Sequence, residues 1–202
     1  MKNFSIAVLL SVCAQLAWAT PVNLVQNGDF EVAVAGPGTV PGWSYSGGDN
    51  YFGVDADYIG SPNARPGQVF YDGASANAGL LAQSIATTAG ALYVLEFDLQ
   101  RYSTSTNTAS NMASVDFGGT NVFLQMNTVG DWTHFIIGGL IGGPGSTTML
   151  QFSNLNAFDF NQLDNVSLIA SDDPHTVPEP ATPLMLAAAA AALALTRRRR
   201  QH

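Results

Sequence analysis

Apolar and polar residues alternate in several short runs of this chain. The clearest is LYVLEFDLQ, residues 92–100. With a period of two, Tyr93, Leu95, Phe97 and Leu99 fall on one face. Val94, Glu96, Asp98 and Gln100 fall on the other, the pattern of a strand with one buried face. Similar runs predict strands over 80–85, 114–117, 121–126, 133–137, 147–152 and 165–169. Turn signals separate them: Thr88-Ala89-Gly90, Gly118-Gly119, Gly130-Asp131 and GGPGS at 142–146. Residues 103–111, STSTNTASN, read as a polar loop. No apolar period of 3.6 residues is sustained in this region. Short strands with regular turns and no helices predict an all-β domain, an antiparallel β-sandwich.

The two ends follow other patterns. A short basic start, Met1-Lys2-Asn3, precedes an apolar run, and Ala17-Trp18-Ala19 offers the small residues that a signal peptidase reads. Residues 1–19 therefore read as a secretory signal peptide, with signal peptidase as a partner. Cleavage after Ala19 discards Cys13, the single cysteine, so no disulfide would hold the mature chain. Residues 20–170 are left as the ectodomain, followed by a linker at 171–176. Near the C-terminus, apolar residues 184–195 are followed by Arg197, Arg198, Arg199 and Arg200. Twelve helical residues reach only about 18 Å, against about 30 Å of hydrocarbon. Extended to 181–196, with the arginines snorkelling, the stretch predicts a short single transmembrane helix. The arginines act as a basic stop-transfer held in the cytoplasm, which leaves the ectodomain outside the inner membrane.

Charge narrows the function classes. Between residues 20 and 177 there are fourteen Asp and Glu against two Arg and no Lys, a net −12. Nucleic-acid binding needs a basic footprint, and this region has none. Strong negative charge instead favours solubility and attracts cations.

The tail carries a resemblance. Val177-Pro178-Glu179-Pro180, a short apolar helix and a terminal arginine cluster resemble the PEP-CTERM sorting signal, over residues 177–200. The resemblance implies a Gram-negative bacterium in which an exosortase recognises Pro178-Glu179-Pro180 and processes the protein there. The tail would then be an address and a transient membrane anchor. The protein would end at the cell surface or in the extracellular matrix, associated with exopolysaccharide or biofilm.

Three pieces of the middle resemble galactose-binding-like jelly rolls, which are common among carbohydrate-binding modules. They are NLVQNGDFEVAVAGPGTVPGWS at 23–44, LLAQSIATTAGALYVLEFDL at 80–99 and QLDNVSL at 162–168. The resemblance implies that the first and last strands lie together and often share a structural calcium. Asp29, Glu31 and Asp164 match those positions. Either they hold calcium, with backbone carbonyls completing its six to eight oxygens, or they sit on solvated turns.

For a polysaccharide ligand the richest stretch holds Trp43, Tyr45, Tyr51, Phe52 and Tyr58, interleaved with Asp49, Asn50, Asp55 and Asp57. Aromatic faces meet pyranose C–H surfaces, and the polar neighbours serve hydroxyls. Trp43 and Trp132 also read as packing residues. Arg101 and Tyr102, beside the polar loop, form a further candidate pair.

Enzymatic motifs are missing. EFDLQ at 96–100 invites comparison with the E-x-D-x-E strands of β-sandwich glucanases, but Gln100 stands where the second catalytic carboxylate is needed. Period-two spacing alone puts Glu96 and Asp98 on one face. The chain has no Gly-x-Ser-x-Gly and no histidine pair at metal-ligand spacing. GGLIGGPG at 138–145 lacks the lysine and helix of a phosphate loop and reads as turns. The reading is a non-enzymatic exported protein. A lectin-like carbohydrate-binding module is the alternative, and a glycoside hydrolase the remote one.

Overall fold

The computed structural model describes residues 22–32, 38, 40–48, 51–56, 65–101, 111–127 and 129–171. Ten strands run through them: β1 (Ser44–Gly47), β2 (Phe52–Ala56), β3 (Gln68–Asp72), β4 (Gly79–Ala86), β5 (Leu92–Arg101), β6 (Asn111–Phe117), β7 (Thr120–Met126), β8 (Gly130–Ile141), β9 (Thr147–Asn156) and β10 (Asn161–Ala170). No helix occurs among the described residues. The strands form two five-stranded sheets, β1-β4-β9-β6-β7 and β2-β3-β10-β5-β8, paired antiparallel throughout. The expected signal peptide and transmembrane segment 181–196 lie outside the described residues.

Alternation builds the core. Tyr93, Leu95, Phe97 and Leu99 are all buried, as are Leu81 and Ile85 of β4 and Leu150 and Phe152 of β9. The two sheets meet through these faces. Phe97 lies at their centre, with the rings of Phe123, Phe135 and Phe152 at 5.3, 5.4 and 5.4 Å. Gln83 is the polar member of an otherwise apolar row on β4 and is only 7% exposed. Its amide donates to the carbonyls of Gln26 and Gly42, at 2.9 and 2.8 Å, and its oxygen accepts the Gln26 N–H at 2.8 Å. A buried amide is tolerated when so satisfied, and this one ties the N-terminal segment to the sheet.

The N-terminal segment lies along the second half of β10. Leu24 N–H donates to the Leu168 carbonyl and Val166 N–H to the Gly28 carbonyl, at 2.9 and 2.8 Å. Asn23 adds two side-chain bonds, to the Val166 carbonyl and from the Leu168 N–H. Gly28 permits this approach, because a Cβ there would stand 2.0 Å from the Val166 carbonyl oxygen.

Three expectations change. Residues 44–47, 52–56 and 68–72 are strands that alternation did not reveal, being only four or five residues long. Gly130-Asp131 begins β8, and Gly138–Ile141 ends it, where turns were expected. Both lie opposite register shifts in the β5 ladder, at Leu99/Arg101 and Tyr93/Leu95. There β8 has two residues against one on β5, so the turn-like sequences are β-bulges in an edge strand, with Gly139 at φ +74°.

Candidate functional site

On β5, Glu96, Asp98 and Gln100 alternate with the core residues and so face outward from the sandwich. Register places Asp164 of β10 and His134 of β8 on either side of Asp98, and Gln162 beside Gln100. Tyr71 of β3 lies beside Gln162. The outer face of this sheet thus gathers acids, amides and rings in one band.

Asp98 is the hub. It is 6% exposed, where period two alone suggested a solvated face. Segment 65–67, leading into β3, brings Arg65 onto it, and a strand pattern carries no signal of that cover. His134 Nδ1 lies 2.8 Å from Asp98 Oδ1, and Asn165 Nδ2 donates to Oδ2 at 2.8 Å. Arg65 Nη1 pairs with the same Oδ2 and lies 3.9 Å from Asp164 Oδ2. Burial pushes the Asp98 carboxyl up, but hydrogen bonds from Arg65, Asn165 and His134 outweigh it and hold the group below the usual carboxylate range. Asn165 reaches in from a left-handed backbone, φ 51°, at the register shift between Asp164 and Ser167. Asparagine tolerates that conformation better than most residues. The Arg65 guanidinium carbon lies over the Trp132 ring, 4.5 Å from its centroid. His134 Nε2 is 3.6 Å from Glu96 Oε2. The result is an indole and a guanidinium in contact, fixed from below by a saturated carboxylate.

The expected residues divide among different places. Trp43 turns its ring onto Phe30 and Phe152, at 5.9 and 6.1 Å, and its indole N–H donates to the Asn27 carbonyl. Tyr45 stacks on Phe52 at 3.5 Å, and its hydroxyl donates to buried Asp72. Both therefore pack. Tyr51 is 67% exposed at one end of the sandwich, and Asp55 is exposed on β2. Asp49, Asn50, Asp57, Tyr58 and Tyr102 lie outside the described residues. So do Ala17, Ala19, Val177, Pro178, Glu179, Pro180 and Arg197, Arg198, Arg199 and Arg200. Arg101 is buried at the end of β5.

For the calcium set, Asp164 is buried, whereas Asp29 and Glu31 are exposed. Burial, with the nearby charges of Asp98 and Glu31, pushes Asp164 up to about 6 against the pull of the Asn165 N–H and Arg65. Glu31 Oε1 accepts the Gln68 N–H at 2.8 Å, and Asp29 closes a local turn with the Glu31 N–H. Among the described residues, no three acidic or histidine side chains converge as a metal-binding group. Glu31 and Asp164 are the pair that could share a cation, with backbone carbonyls supplying the remaining oxygens.

Arg65, Asp98, Asn165, Trp132 and His134 escaped the sequence reading as a group. One signal was present: Arg65 and Arg101 are the only cations among fourteen acids between residues 20 and 177.

No curated protein matches this chain. The chain is similar to the solved structure of TmCBM61 in complex with beta-1,4-galactotriose, with a TM-score of 0.55 and 20% identity over 74% of this chain and 99% of that one. It is similar to the K1 cleaved adhesin domain of Lys-gingipain from Porphyromonas gingivalis, with a TM-score of 0.52 and 14% identity over 75% and 99%. The family model for the PEP-CTERM protein-sorting motif matches residues 176–200. The chain therefore joins a two-sheet antiparallel β-sandwich, similar in fold to TmCBM61, to a C-terminal PEP-CTERM sorting motif.

Proposed function

We propose that this is an exported, non-enzymatic surface protein whose sandwich binds carbohydrate on the outer face of the β2-β3-β10-β5-β8 sheet. The observation that carries the reading is the Arg65–Trp132 pair held over Asp98. It places an aromatic ring beside a guanidinium on the outer face of the sheet. The fold shared with a galactotriose-bound module supports it. Gln100, standing where the E-x-D-x-E pattern needs its second catalytic carboxylate, argues against hydrolysis on this strand. The sorting motif supports export by way of signal peptidase, a transient anchor in the inner membrane and processing by an exosortase. Boundaries at 1–19, 20–170 and 171–176 complete this organisation. Exopolysaccharide or biofilm matrix is the setting we propose, and Glu31 with Asp164 is the proposed calcium pair.

Two measurements test the reading. The exported protein should be retained by a neutral polysaccharide, and Trp132→Ala should release it without changing the melting temperature or freeing reducing ends. Retention unchanged by Trp132→Ala would overturn the site. Mass spectrometry should find a C-terminus lacking Arg197, Arg198, Arg199 and Arg200, and an intact tail on the exported protein would overturn the processing model.

A further inference from the structure

A cleft of about 490 Å³ opens at one end of the sandwich between the β3–β4 and β9–β10 connections. Two exposed rings edge it, Tyr51 at 67% and Phe158 at 46% exposure, with Ser75 and Asp159 among its polar lining. Burying rather than exposing such rings is the default, so two around one cleft mark a contact surface. The floor is built. Asn156 is 2% exposed and accepts the N–H groups of Phe158 and Asp159, at 3.3 and 3.1 Å, which sets the turn that lifts Phe158. Phe160 packs edge-on to Tyr71 at 5.5 Å. Gly73 lets that ring lie close, since a Cβ there would stand 2.6 Å from it.

We propose that this cleft is a second carbohydrate subsite, taking one pyranose ring of a neutral glycan chain against Tyr51 and Phe158. A pyranose has an apolar C–H face and a hydroxyl rim, matching rings edged by Ser75 and Asp159. An anionic sugar fits poorly beside Asp159 on a domain of net −10, twelve acids against two arginines over residues 20–170. The position also suits it. Phe160 precedes the first residue of β10, while Ser171, beyond its last, leads towards the motif at 176–200. The ten residues of β10 span about 33 Å, so the cleft lies at the end of the strand remote from Ser171. Tyr71 and Phe160 link the cleft to the band around Asp98, and a chain reaching both must pass over Gln162 and Gln100, each 1% exposed. This inference rests on the carbohydrate-binding reading and extends it from one station to two.

The test uses the exported protein and neutral β-linked tri- and hexasaccharides of galactose, glucose and xylose. Binding is followed by calorimetry and by amide hydrogen exchange. A hexasaccharide should bind more tightly than the matching trisaccharide, and it should protect residues 156–160 of the unmodified protein. Tyr51→Ala with Phe158→Ala should weaken the hexasaccharide about tenfold while the melting temperature holds. Loss of binding on Trp132→Ala, with no change in the double variant and no protection at 156–160, would overturn the second subsite and leave the first. Silence of the folded, unmodified protein towards every sugar would overturn both.

Discussion

Asp98 and His134 face each other across the β5–β8 ladder with Oδ1 and Nδ1 2.8 Å apart, while the other Asp98 oxygen serves Asn165 and Arg65. Because the folded protein holds this carboxyl below its ordinary value, Asp98 stabilises the fold above the unfolded pKa of about 3.9. That contribution disappears as pH falls through the lowered folded value. Asp98→Asn should therefore cost on the order of 2 kcal/mol at pH 7, and the difference from wild type should close in acid. Urea melts at pH 7, 5 and 3 check it; a gap independent of pH would remove the charged hub.

Gln83 makes three hydrogen bonds to the backbone of Gln26 and Gly42 from inside the sandwich. Gln83→Leu keeps the volume but leaves one N–H and two carbonyls without it. The expected loss is roughly 2 to 4 kcal/mol by denaturant melts, more than a surface exchange gives. It should also raise hydrogen exchange at Gln26 before the strands open.

Gly28→Ala should be worse than its one methyl suggests. The added carbon collides with the Val166 carbonyl, which is backbone and fixed by β10. The N-terminal segment must detach or β10 must shift. We expect a loss of about 3 kcal/mol, with the amides of Leu24, Val166 and Leu168 exchanging early.

Calcium and Asp164 give a paired prediction. Without metal, the raised pKa of about 6 means that between about pH 3.9 and 6 the native state holds a proton the unfolded chain has released, and that above this range it carries a buried charge. Stability from this group is therefore highest below the unfolded pKa of about 3.9 and falls as pH rises to about 6. In EDTA at pH 7, Asp164→Asn should stabilise the fold, by on the order of 2 kcal/mol. With calcium in excess the order should reverse, because the metal favours the ionised carboxylate. A melting temperature identical in calcium and EDTA would exclude a Glu31–Asp164 calcium site.

Much of the sandwich was legible because alternation is a direct consequence of one buried face. Tyr93, Leu95, Phe97 and Leu99 reveal β5, and β4, β6, β7, β9 and β10 follow the same way. The short strands hid because four or five residues hold too few alternations, and in β2 a glycine, Gly53, interrupts them. Glycine pairs in β8 misled, since a bulge needs the same backbone freedom as a turn. The site was less legible for a different reason. Asp98 is outward by period, yet buried by Arg65, which arrives from 33 residues away. Alternation records which face a residue takes within its own strand and says nothing of what later covers that face. Trp43 was legible as a packing residue from its Pro-Gly-Trp setting, and it spends its indole on Phe30, Phe152 and the Asn27 carbonyl.

The direction of β10 has a mechanical consequence. A pull applied between the Phe160 end of β10 and Ser171 would run along the axis of this strand. Eight residue pairs join β10 to β5 across its length, and residues 23–28 flank its second half. Tension in that direction shears these bonds together rather than peeling them one after another. The clamp would therefore resist flow best when force enters at the remote cleft, and yield more readily to a pull on an edge strand such as β8.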